Sequence, residues 1–180
     1  SFHLAFDEHS QRLLLSDVSA HVVHQLELTS GALTTTPGFR YPNKWRLLNG
    51  EAYLVDTNRH HIKHYTDATL AQPLANYEID LGGAYRWPYH FARVGDQWWV
   101  VVMNNSMNDG KVARYSSDWQ WLGWLPLPQQ VGALAIEAVA EQVFVSDPDH
   151  NRVYRFDQSG NYLGDVSAGA MAKRLSLIHI

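Results

Sequence analysis

Three aspartates close short apolar runs in this 180-residue chain: Asp17 in RLLLSD, Asp56 in EAYLVD and Asp147 in QVFVSD. Carboxylates drawn from separate parts of a chain can hold a divalent cation or trade protons in acid–base catalysis. They can equally accept backbone N–H bonds in a turn, where losing a buried acceptor costs about 1–3 kcal/mol. Behind each aspartate, at one offset, stands a branched aliphatic (Val23, Ile62, Val153), and at a second a large apolar residue (Leu26, Tyr65, Phe156). A fourth copy, WWVVVMNNSMNDGKVARYS, keeps Val112 and Tyr115 but carries Asn104 in the aspartate's place and a longer turn. Asp17, Asp56 and Asp147 are therefore read as turn caps, each closing the reversal that follows it.

Other chemistry-bearing patterns weaken on inspection. His60, His61 and His64 form HHxxH, but a zinc-protease site needs a helix and a glutamate after the first histidine. The segment reads instead as an exposed turn running into a strand. Asp147, Asp149 and Asn151 open like a calcium loop, yet Arg152 stands where glycine is needed and Gln158 where glutamate is. No nucleophile elbow, phosphate-binding glycine loop or paired-carboxylate signature is present. With no cysteine, disulfides and thiolate chemistry are excluded. The sequence leans away from an enzyme, and no cofactor or metal is expected.

The elements that must position these residues are short strands. Apolar runs rich in β-branched and aromatic residues are broken by Gly, Pro, Asn and Asp at close intervals. Four copies spaced roughly 40–50 residues apart predict an all-β chain of β-propeller blades, each a four-stranded antiparallel sheet. The repeats run approximately 1–39, 40–85, 86–128 and 129–174. Strand A falls at 3–6, 44–48, 90–94 and 133–139; strand B ends at Asp17, Asp56, Asn104 and Asp147; strand C carries the Val/Ile-x-x-apolar pair. Leu33, Leu122 and Leu163 mark strand D, with Leu70 nearer in the second repeat, which implies a shorter turn there. Asn49-Gly50 suits a tight reversal between strands A and B of that repeat.

The turn chemistry resembles the NHL repeat family. DTNRHHIKHY (56–65) and VFVSDPDHNRVYRFDQSG (143–160) match its strand-ending aspartate, polar turn and Ile/Val-x-x-aromatic strand, while the first repeat is looser and the third degenerate. The resemblance implies a five- or six-bladed ring, of which four repeats are a part. It implies either a binding domain or, in related six-bladed forms, a metal-dependent hydrolase or lyase of the lactonase type with an axial site. LSLIHI (175–180) reads as a sequencing adaptor translated in frame, so these residues are expected to be a non-native tail.

Two sets of residues remain as candidate sites. The long turn of the third repeat presents Asn104, Asn105, Ser106, Asn108 and Asp109, and is expected to protrude as a binding loop. His3, Lys44 and His90 each precede the first apolar residue of a strand A, so with Asn43 they are expected beside the axial channel. Six of the seven tryptophans lie in or beside the third repeat, where packing between blades is favoured over sugar or peptide stacking. A formal charge of −4 without a basic cluster argues against nucleic acid. No apolar run reaches the ~18 residues of a membrane helix. The opening SFHLAFD shows no signal peptide. The partner expected is a protein or a glycan, with a lean toward a location outside the cytoplasm.

Overall fold

A computed structural model describes residues 2–132 and 135–167. The described chain forms four separate four-stranded antiparallel sheets, each with its strands in sequence order. The first sheet is β1 (Phe2–Asp7), β2 (Arg12–Asp17), β3 (Val22–Glu27) and β4 (Leu33–Thr36); the second is β5 (Pro42–Leu48), β6 (Glu51–Asp56), β7 (His61–Tyr65) and β8 (Pro73–Glu78). The third is β9 (Tyr85–Val94), β10 (Gln97–Asn104), β11 (Gly110–Tyr115) and β12 (Trp121–Leu125). The fourth is β13 (Ala135–Val139), β14 (Gln142–Asp147), β15 (Arg152–Asp157) and β16 (Tyr162–Ser167). Strand B thus ends at Asp17, Asp56, Asn104 and Asp147, as the repeat predicts. The expected non-native tail, 175–180, and Ala133 lie outside the described residues.

The chain divides into two compact units at Asp80 and Leu81, each holding two sheets. In the first unit, Leu14 and Val23 of one sheet and Trp45, Ala52 and Leu54 of the other share one buried cluster. Trp45 also donates its indole N–H to Ser16 Oγ at 2.7 Å, tying the two sheets by a buried polar contact. Trp45→Phe should therefore destabilise this unit by about 1–3 kcal/mol, because Ser16 loses its partner in an apolar setting. Adding Ser16→Ala should cost less than the sum of the two single changes, which a double-mutant cycle by urea denaturation measures. Full additivity overturns the assignment.

Local chemistry sets the turns. Asn49 and Gly50 both adopt positive φ, 52° and 81°, the pair of dihedrals that a two-residue hairpin turn demands. Leu70 corrects one expectation. It does not mark strand D but sits in the β7–β8 turn at φ 60°, packed into the first unit's core. That turn spans 66–72 and is longer than its counterparts at 28–32 and 116–120, not shorter. Burial of the leucine outweighs the strain of its left-handed backbone.

In the second unit, β10 is buried on both faces from Trp98 to Met103. This explains an apolar run without alternation. One face, with Trp99 and Val101, joins Ala92, Val112, Ile136, Val143, Val145, Tyr154 and Phe156 in a core shared by both sheets. On the other, Trp98 stacks on Trp119 at 5.2 Å and lies 5.5 Å from Phe91. Strand β9 starts well before the expected position 90, and a register shift at Tyr89, opposite Val101 and Val102 of β10, lies beside Pro88.

Candidate binding surface on the third sheet

The strand-ending residues have distinct uses. Asp17 Oδ1 accepts the N–H groups of Ser19 and Ala20, at 3.1 and 2.9 Å. Asn104 does the same work in the third sheet, its Oδ1 accepting from the Asn108 and Asp109 N–H groups. Asp147, fully buried, accepts the His150 N–H at 3.1 Å, the His150 ring at 2.8 Å, Gln129 Nε2 at 3.2 Å and the Tyr154 hydroxyl. Burial alone pushes its carboxyl up, but those hydrogen bonds outweigh it and hold the group below the ordinary range.

Asp56 departs from the expected role. The turn after it is a short 3-10 turn, Thr57–Arg59, with no side-chain cap. The N–H groups of Thr57, Asn58 and His60 are already bonded to the carbonyls of Tyr41, Arg40 and Thr57. The carboxylate instead accepts the Arg40 N–H at 2.7 Å and pairs with Lys63 and Arg59 at 3.7 and 3.5 Å. Burial raises its pKa above the usual value despite those partners, and burial also lowers that of Lys63.

The loop of the third sheet is held from outside as well as within. Trp87 Nε1 donates to Asn105 Oδ1 at 3.1 Å, and Asn105 Nδ2 donates to the Gly83 carbonyl at 3.1 Å. The Tyr85 hydroxyl donates to Asp109 Oδ2; that bond, with burial, pushes the phenol up to about 12. Ser106 and Asn108 are exposed, as is Met107 at φ 56°. Asn104, Asn105 and Asp109 thus fix the loop, while Ser106 to Asn108 form its tip.

Beside this loop lies an open cleft of about 400 Å³, walled by Asp109, Lys111, Trp124, Gln129 and Gln130 among others. The Lys111 ammonium sits 4.3 Å from the Tyr85 ring centroid and 5.3 Å from that of Trp124. Trp121 meets Trp124 edge-on at 5.1 Å and is 45% exposed. Lys111, Tyr85 and the two glutamines escaped the sequence reading. Their only signal was the proximity of Asp109-Gly110 to Lys111, because the four residues come from three separate stretches.

The other candidates have local commitments. His3, Asn43 and Lys44 belong to the first unit and His90 to the second. Asn43 is buried and its amide donates to Thr57 Oγ1. His90 Nδ1 accepts the Ile136 N–H at 3.3 Å, linking β9 to β13. His64 lies in β7, the strand that the HHxxH turn runs into, and is buried there. It is stacked on Tyr53 at 4.0 Å, with its ring nitrogens on Glu51 and the Tyr77 hydroxyl. Asp149 accepts the Gly132 N–H at 2.7 Å, so the calcium-like segment is a turn between β14 and β15. Among the described residues, no three His, Cys, Asp or Glu side chains group as metal ligands. No described helix is long and apolar enough to cross a membrane.

No protein-family model and no curated protein sequence matches the chain. Solved structures do. Virginiamycin B lyase from Staphylococcus aureus is similar with a TM-score of 0.68 at 14% identity, over 92% of this chain and 55% of the lyase. The calcium-binding protein regucalcin from Agrobacterium tumefaciens gives 0.64 at 14% identity, over 92% and 57%. A chain of a nidogen/laminin complex gives 0.57 at 13% identity, over 94% and 81%. The chain therefore spans little more than half the length of the first two. Enzymes and binding proteins both stand in this group, and at these identities the likeness is one of fold alone: the chain is built of β-propeller blades.

Proposed function

We propose that the chain is a non-enzymatic binding scaffold of the NHL-like propeller type, taking a protein or glycan ligand at the rim of its third sheet. The fold does not choose between binding and catalysis. The observation that carries this reading is the fixed loop Asn104–Asp109 beside a cleft walled by aromatic, amide and charged side chains. A loop already held by Trp87, Tyr85 and Gly83 loses little freedom on binding, and amphipathic tryptophans supply contact area at low entropic cost.

Replacing residues 104–111 by the turn 147–152 of the fourth sheet tests it. Tryptophan fluorescence and thermal melting should report a folded protein, because Asp147 and Arg152, themselves strand-end residues, take the places of Asn104 and Lys111. Binding to a glycan and peptide array should fall by about tenfold or more, the loss of one or two good contacts. Equal binding by the graft and the parent chain removes the loop from the site.

A further inference from the structure

Lys111 carries the most specific signal on the molecule. Its ammonium rests against two aromatic rings, and it has no carboxylate or hydrogen-bond partner among the described residues. A cation positioned by ring faces, without an acidic neighbour bonded to it, retains its donors for an anion. Asp109, on the same cleft, uses Oδ2 for the Tyr85 hydroxyl and keeps Oδ1 as an acceptor. Gln129 commits its amide N–H to Tyr154 at 2.7 Å and Asp147 at 3.2 Å, which leaves its carbonyl as a further acceptor. The cleft thus offers the Lys111 ammonium, acceptors that want hydroxyl donors, the Gln130 side chain and the Trp124 ring.

We propose that this cleft binds an acidic sugar, a uronate unit of a polysaccharide, with its carboxylate on Lys111. The inference rests on the binding-scaffold reading above and names its ligand. A uronate ring carries one carboxylate, several hydroxyls and an apolar C–H face for an indole, and each has a counterpart in the cleft. A polyacidic peptide fits less well, because its second carboxylate would meet Asp109 and the carbonyl of Gln129. The volume, about 400 Å³, falls within the roughly 300–1,000 Å³ of small-ligand clefts.

The test is calorimetric titration with glucuronate-, galacturonate- and mannuronate-based trisaccharides, their methyl esters, and a hexa-aspartate peptide. At least one uronate should bind, its ester at least about tenfold more weakly, and affinity should fall with added salt. Lys111→Met should weaken that uronate by at least about tenfold, whereas Lys111→Arg should keep most of it. Melting curves establish that both variants fold. Equal binding of acid and ester, or an unaffected Lys111→Met, overturns the acidic-sugar assignment and leaves the scaffold standing. Preference for the peptide does the same. If no probe binds while array binding is still lost in the loop graft, the uronate inference fails alone. If the graft also changes nothing, both fall.

Discussion

Trp99→Ala is expected to destabilise the protein by about 3–5 kcal/mol, lowering its thermal midpoint by roughly 6–20 °C. Trp99 has no exposed surface, and its indole N–H donates to Gln97 Oε1 at 3.0 Å. It belongs to a cluster that draws on strands of both the third and fourth sheets, so the cavity cannot be closed by one sheet relaxing. Trp121→Ala should by contrast change stability by less than about 1 kcal/mol, because that ring is 45% exposed. Near-UV circular dichroism through a denaturant titration separates the two. Comparable losses would mean that the exposed aromatic row is structural, and would weaken the case for a ligand face.

The ends of β2, β6, β10 and β14 were legible because a strand that stops at Asp or Asn is a local event. The side chain bonds N–H groups two to five residues away, as at Asp17 and Asn104. Asp56 shows the limit of that logic. Its partner N–H belongs to Arg40, in the segment before β5, and no pattern around position 56 announces it. Leu70 was misplaced for a similar reason: core packing holds it in a turn with a backbone that leucine rarely adopts. Pro88 hid the true start of β9, and with it Tyr85. The candidate site suffered most. Its loop residues could be named from an unusually long turn, but the contact of Lys111 with Tyr85 and Trp124 depends on strand register across a whole sheet.

The repeat aspartates should also answer to pH in opposite senses, which separates their roles better than any single variant. In the folded protein Asp147 sits below its ordinary pKa, so its contribution is present above about pH 4 and is lost as pH falls through the folded value. Asp147→Ala should cost about 3 kcal/mol at pH 7, since it removes the acceptor of the buried Tyr154 hydroxyl and frees the β14–β15 turn. That penalty should shrink below pH 4, where the wild-type carboxylate is itself being protonated. Asp56 runs the other way. Burial raises its folded pKa above 3.8, so the folded state takes up the proton more readily, and protonation favours folding. The stabilisation is complete below the unfolded pKa and is lost as pH rises through the folded one. The groups facing it are Lys63, Arg59 and Tyr65, whose phenol is pushed up to about 12 by burial and then by the Asp56 charge. Asp56→Asn keeps an acceptor for the Arg40 N–H and removes the buried charge, so its cost relative to wild type should grow as pH drops from 7 to 4. Chemical denaturation of wild type and both variants at pH 7, 5, 4 and 3 reads the two slopes, that of Asp56 between pH 7 and 4 and that of Asp147 below pH 4. Slopes of the same sign would show that Asp56 is held as an ordinary turn cap, against the Arg40 bond and the burial that set it apart.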